Sequence, residues 1–174
     1  MVEGGTMSGV GLFFVDQVYM SGAATYSQME MTVLNEFLHA LGTMTTNTNF
    51  VLNVAETAVY NLSAASSPSS LARTSTTNKG QIVVFGAFNF DSTSDITVSL
   101  DFINRGTTDF WMGKTSFIGV YKNYQNFTIK QFASVVATST SCRRHQFRSI
   151  CILWGLGILH FVIIYEHLSR KSLT

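Results

Sequence analysis

The sequence predicts an α+β fold: an antiparallel β-sheet or sandwich with one amphipathic helix at about residues 28–41, plus a C-terminal hydrophobic helix. Three observations lead to this prediction. Apolar and polar residues alternate between residues 96 and 102, which is typical of a strand with one buried face. Residues 28–41 instead have a helical period of apolar side chains, and residues 149–165 form an uncharged apolar run.

The predicted helix has a start signal, a stop signal and an amphipathic pattern between them. Ser27 and Glu30 have the spacing of a capping box, in which each side chain satisfies a backbone N–H in the first turn. Gly42 can adopt the left-handed conformation that commonly ends a helix. At about 100° per residue, one broad arc is apolar. Its members are Met29, Met31, Val33, Leu34, Phe37, Leu38, Ala40 and Leu41.

The same segment contains the string NEFLHALG at residues 35–42. This string resembles the zinc-binding helix of astacin-like and related metalloproteases, which reads H-E-x-x-H-x-x-G. Asn35 stands at the position of the first zinc-binding histidine, and Thr45 stands where the family has its third ligand. The resemblance therefore implies an inactive relative of a hydrolase. No catalytic residue and no metal site is predicted, and the glycines near the N-terminus match no cofactor-binding motif.

Most of the remaining body is predicted to consist of strands joined by short polar turns. The later strand candidates are residues 82–90, 96–102, 110–112, 116–122 and 127–137. Residues 63–78 contain mainly Ser, Thr and Ala with the single proline, and are predicted to be a loop. Residues 1–138 are interpreted as one β-rich domain, because a chain of 174 residues suffices for one sizeable core.

The C-terminal region differs from this body in composition. Residues 139–148 are first polar and then basic, and are interpreted as a juxtamembrane hinge. Residues 149–165 are predicted to form a transmembrane helix about 26 Å long, against a hydrocarbon core of roughly 30 Å. The alternative is a buried C-terminal helix or strand. Residues 166–174 form a short polar tail. With one predicted span, the sequence predicts a membrane-associated, single-pass protein.

Three features bear on the side of the membrane at which the body lies. Three arginines precede the predicted span, which favours a cytosolic body and a tail-anchored protein. Two N-glycosylation sequons, at Asn61 and Asn126, favour a luminal or extracellular body instead. Cys142 and Cys151 flank the predicted membrane boundary and are candidates for palmitoylation. The sequence leaves both orientations open.

The charge distribution argues against nucleic-acid binding. Residues 1–140 contain six Lys and Arg residues against nine Asp and Glu, whereas residues 141–174 contain five against one. A mildly acidic body with a basic, apolar tail fits a membrane surface better than a nucleic acid. Both cysteines lie in the tail, so the body has neither a disulfide framework nor a cysteine-based metal site.

An aromatic cluster in the second half of the body supplies the ligand-binding prediction. Trp111, Tyr121 and Tyr124 are the candidates, because exposed aromatic faces stack on sugars or anchor partner proteins. The sequence thus predicts a non-catalytic, membrane-tethered binding domain with a protein or carbohydrate partner. The alternative is a fragment or inactive relative of a hydrolase, through residues 35–42 or as the accessory β-domain of a glycosidase-type protein.

Overall fold

The computed structural model describes residues 4–47, 49–63, 70–73, 80–125 and 127–140. Strands are the regular secondary structure of these residues, which contain no helix. In chain order the strands are β1 (Gly5–Met20), β2 (Ala24–His39), β3 (Thr43–Asn47), β4 (Val51–Val54), β5 (Val59–Leu62), β6 (Ser70–Arg73), β7 (Gln81–Val84), β8 (Ala87–Asp91), β9 (Ile96–Val98), β10 (Asp101–Asn104), β11 (Thr107–Asn123) and β12 (Phe127–Thr140).

The strands wind into a β-solenoid, in which each turn of the chain lies on the preceding turn. Three consecutive parts of β2 pair in parallel with β3, β4 and β5, so the chain follows three sides of each turn. We call the resulting stacks of parallel strands the first, second and third ladders. They contain β3, β6 and β9, then β4, β7 and β10, and then β5, β8 and residues 107–110 of β11.

The predicted antiparallel sheet or sandwich is wrong, because the strands are parallel and stack as a solenoid. Strands of most parallel sheets are buried on both faces, so alternating polarity normally indicates antiparallel pairing. In this solenoid the inner face of each strand is the buried one, and Ile96, Val98 and Phe102 point into the core. The alternating pattern therefore identifies β-structure at residues 96–102, but it misidentifies the direction of the partners and merges β9 and β10, which a corner at residues 99–100 separates.

The predicted helix at residues 28–41 is also wrong, because most of this segment belongs to β2. Its buried side chains include Tyr26, Met29, Val33 and Phe37. Gln28, with a φ of 57°, marks one corner of the solenoid, and two consecutive exposed residues mark the next corner. These corners lengthen the interval between buried residues to three or four positions, which imitates the period of a helix.

Glycines at the corners let successive turns approach each other closely. Gly42, the predicted helix end, has a φ of 90°, and a Cβ added there would lie 2.5 Å from the carbonyl carbon of Gly22. A Cβ added at Gly106 would overlap the carbonyl oxygens of Phe85 and Gly86 in the preceding turn. Larger residues at these corners would force the stacked turns apart.

A column of aromatic rings fills the interior beside the third ladder. Tyr60 lies between Phe37 and Phe88, with ring-centroid distances of 4.5 and 4.2 Å and nearly parallel planes. Phe90 and Phe110 stack in the same way at 4.8 Å. These distances are close to the spacing of about 4.8 Å between neighbouring strands, because residues in register lie directly above one another. Each such pair adds about 0.5–1.5 kcal/mol beyond its area burial, which favours this register.

The part of the chain that the structure describes has no helix long and apolar enough to cross a membrane. These residues therefore form an all-β solenoid and not the predicted combination of a sandwich with a membrane-spanning helix. The predicted span at 149–165 and the tail at 166–174 lie outside the described residues. Residues 139 and 140 of the predicted hinge end β12, and β6 lies within the predicted loop at 63–78.

Candidate ligand-binding surface

The three aromatic residues predicted to bind a ligand lie in three different environments. Tyr121 points into the core and is 8% exposed, with its ring centroid 4.6 Å from that of Phe117 and 5.8 Å from that of Phe102. Its ring is therefore occupied by core packing and offers no surface to a ligand. Trp111 and Tyr124 lie outside the core, and their role in ligand binding stays a prediction.

Trp111 points outward from the third ladder and is 44% exposed. It lies at a β-bulge, since Phe110 pairs with Phe90 while Met112 pairs with Asp91. Bulges re-aim side chains and are frequent beside binding sites. The ammonium of Lys130 lies 4.7 Å from the Trp111 ring centroid, a cation–π contact that helps to hold the indole in one orientation.

Tyr124 lies at the opposite end of the third ladder. Its backbone N–H donates to the carbonyl oxygen of Asn104 at 2.9 Å, and the Arg105 guanidinium lies 5.3 Å from its ring centroid. Asn104 ends β10, and Arg105 belongs to the corner between β10 and β11. Residues 107–110 of β11 separate this corner from Trp111 along the strand direction. The fold therefore does not bring Trp111 and Tyr124 together into one site.

A row of polar side chains crosses the outer surface of the third ladder toward Trp111. We call Glu36, Asn61, Asn89 and Asp109 the polar row. The Asn61 amide nitrogen donates to a Glu36 carboxylate oxygen at 3.1 Å, and the Asn89 amide nitrogen donates to the Asn61 amide oxygen at 2.8 Å. Asp109 is the register partner of Asn89 in the next turn. The row thus places amides from two successive turns between two carboxylates.

Asp109 lacks the hydrogen bond that the other members of the row have, although Thr128 of β12 is its register partner in the following turn. Its Oδ1 atom is buried and has no hydrogen-bond partner among the described residues. An unsatisfied carboxylate oxygen is costly, since the desolvation of a buried charged acceptor is not offset by a donor. Asp109 and Trp111 both point outward from β11, two residues apart, so the unsatisfied oxygen lies near an exposed aromatic ring.

The polar row cannot be recognised in the sequence. Asn61, Asn89 and Asp109 lie at unequal intervals, because loops of different length join successive turns. Asn61 was singled out as a sequon asparagine, and its amide nitrogen is the atom that donates to Glu36. Glycosylation at Asn61 stays a prediction, whereas Asn126, Cys142 and Cys151 lie outside the described residues.

The interpretation of residues 35–42 as a zinc-binding helix is wrong, because this segment is not helical. The segment is strand followed by a corner, with Asn35 exposed and His39 fully buried, so the two positions do not form a ligand pair on one helical face. The described residues contain no group of three or more His, Cys, Asp or Glu side chains that could hold a metal ion.

His39 is instead part of an internal hydrogen-bond network. Its Nε2 lies 2.8 Å from the Gly42 carbonyl oxygen, and its Nδ1 lies 2.9 Å from the Tyr60 hydroxyl. A carbonyl oxygen can only accept, so Nε2 carries the proton and Nδ1 accepts from Tyr60. Burial lowers the pKa of His39 to about 4, and the Gly42 hydrogen bond opposes this shift only in part. The imidazole is therefore neutral and structural.

Comparisons with known proteins identify no relative of this chain. No protein-family model, curated protein or solved structure matches it significantly.

Proposed function

We propose that this chain is a non-catalytic binding scaffold whose ligand is a carbohydrate that lies on the outer surface of the third ladder. The observation that carries the proposal is the polar row, which ends beside the exposed ring of Trp111. Sugars present hydroxyls that pair with amides and carboxylates, and they present C–H faces that pack on aromatic rings.

The solenoid makes this surface rigid before a ligand arrives. Asn61, Asn89 and Asp109 lie in three successive turns of one parallel ladder, so their spacing is set by backbone hydrogen bonds at about 4.8 Å per turn. Hydrogen bonds within the row fix the Asn61 and Asn89 side chains as well. Little side-chain entropy is then lost on binding, which favours recognition of an extended ligand along the solenoid axis.

Native affinity electrophoresis of the full chain tests this proposal. Gels contain a soluble β-1,4-glucan, a β-1,4-xylan or an α-1,4-glucan, and retardation is measured against a gel without polysaccharide. We expect retardation in at least one gel and its loss in Trp111→Ala. The matched control is Phe14→Ala, which removes a 64% exposed aromatic ring from β1, on the side of the solenoid formed by the second ladder, and should leave retardation unchanged. Equal mobility of the wild-type chain in all gels would contradict the proposal.

A further inference from the structure

The polar row has a direction, and this direction creates a gap between Asn89 and Asp109. Asn61 donates its amide N–H to Glu36 in the preceding turn and accepts from Asn89 in the following turn. Asn89 is oriented in the same sense, because its amide nitrogen is directed at Asn61. Its Oδ1 is therefore left on the side of Asp109, the register partner in the next turn.

Reversal of the amides does not remove the gap. If Asn61 and Asn89 were both rotated, Asn89 could donate to Asp109, but the Asn61 oxygen would then face the carboxylate of Glu36. Two amides that point in one direction can satisfy the acid at one end of the row only. An acceptor therefore faces an acceptor at one end, and the buried, unsatisfied Oδ1 of Asp109 identifies that end.

We infer that the Asp109 carboxylate turns outward when the carbohydrate binds, so that its otherwise unsatisfied Oδ1 accepts a hydrogen bond from a hydroxyl group of the ligand. The inference rests on the proposed function and assigns its specificity-determining contact. Asp109 and Trp111 are separated by one inward-facing residue, Phe110, and both lie on the outer side of β11. A pyranose ring that packs against Trp111 can therefore place a hydroxyl at Asp109.

The variant Asp109→Asn tests the gap and the ligand contact separately. The new amide can donate to Asn89 Oδ1 and complete the row without a ligand. One additional hydrogen bond should raise the melting temperature of the full chain by about 3 °C. The same substitution removes the charged acceptor, so binding of the preferred hexasaccharide should weaken about tenfold or more. The probes are cellohexaose, xylohexaose and maltohexaose, measured by isothermal titration calorimetry.

The matched control is Asp16→Asn, which makes the same charge change at an exposed carboxylate of β1, in the first turn and away from Trp111. It should change neither the melting temperature nor the affinity. A higher melting temperature of Asp109→Asn with unchanged affinity would overturn the ligand contact but leave the carbohydrate proposal standing. A melting temperature that does not rise would overturn the gap itself.

Two further outcomes separate the inference from its alternatives. If Ca²⁺ or Na⁺ stabilises the wild-type chain but not Asp109→Asn, and affinity for the saccharide is the same in both, a cation fills the gap and the inference is wrong. If no saccharide binds the wild-type chain, the proposed function fails together with the ligand contact. The thermal comparison then still reports on the gap between Asn89 and Asp109.

Discussion

The Nδ1 atom of His39 lies 2.9 Å from the hydroxyl of Tyr60 in the next turn of the solenoid, inside a fully buried environment. The Gly42 carbonyl fixes the protonated nitrogen on the opposite side of the ring. Since the single hydroxyl proton of Tyr60 is donated to Nδ1, the Met44 sulfur at 3.9 Å is left as a packing contact. Burial also raises the pKa of Tyr60 well above its ordinary value, so the hydroxyl keeps this proton.

The stability of the fold should decrease at mildly acidic pH because of His39. The pKa of this imidazole is lowered from 6.5 to about 4 in the folded chain, so the unfolded chain binds more protons between these values. The contribution of the neutral His39 to the free energy of unfolding is therefore fully present above pH 6.5. It is lost as the pH falls toward 4, which lowers the free energy of unfolding by about 3 kcal/mol. Urea unfolding at a series of pH values measures this loss. His39→Gln, which cannot titrate, should lack the histidine contribution, and identical pH profiles of both chains would contradict the assignment.

Removal of the Tyr60 hydroxyl should destabilise the chain although the aromatic stack is kept. Tyr60→Phe leaves the buried Nδ1 of His39 without its donor, which should lower the free energy of unfolding by about 1–3 kcal/mol. Tyr26→Phe is the matched control. The Tyr26 hydroxyl is buried and has no hydrogen-bond partner among the described residues, so its removal should be neutral or stabilising. Equal losses in the two variants, measured by urea unfolding, would show that the His39 contact contributes nothing.

Phe88 should be among the most sensitive core positions, because its ring is packed on several sides. It stacks on Tyr60 at 4.2 Å and also contacts Phe90 and Phe102. Phe88→Ala should lower the free energy of unfolding by about 3–5 kcal/mol. The exposed control Phe14→Ala should change it by less than about 0.5 kcal/mol. A loss at Phe88 no larger than that at Phe14 would argue against the stacked interior.

The corner at Gly106 should tolerate no side chain. Gly106→Ala places a methyl group against the carbonyl oxygens of Phe85 and Gly86, which are backbone atoms that hold the stacked turns together. We expect a loss of about 1–3 kcal/mol in thermal or denaturant unfolding. Gly9→Ala is the control, since the added Cβ would meet only the end of the Phe13 ring, at 3.3 Å, and that ring can move. Stability of Gly106→Ala equal to that of Gly9→Ala would contradict the close stacking of corners.

Local patterns in the sequence indicated strands more reliably than they indicated how the strands pair. The alternation from Ile96 to Phe102 indicated β-structure, because inward-facing residues of a strand are buried whichever direction its neighbour runs, but it did not reveal the corner between β9 and β10. The solenoid itself could not be read from the sequence as a repeat. The stacked residues Gly5, Ala24, Met44, Leu71 and Val98 lie at unequal intervals, so no fixed period results.

The local sequence also indicated only part of the candidate surface. Trp111 is exposed, as a ligand-binding role requires, whereas Tyr121 is an inward-facing residue of β11. Asn61, Asn89 and Asp109 become neighbours only when three turns are stacked, and nothing in their local sequence marks them as a group. The helical interpretation of residues 28–41 failed because corners within β2 altered the interval between its buried residues.

Hydrogen–deuterium exchange of the full chain, with and without the hexasaccharide that binds most tightly, tests most directly whether the third ladder carries the ligand. We expect slower exchange on binding in residues 107–112 of β11 and in β8, and unchanged exchange in β3 and β9 of the first ladder. Slower exchange that is confined to the first ladder, or no change with any of the three hexasaccharides, would contradict the account.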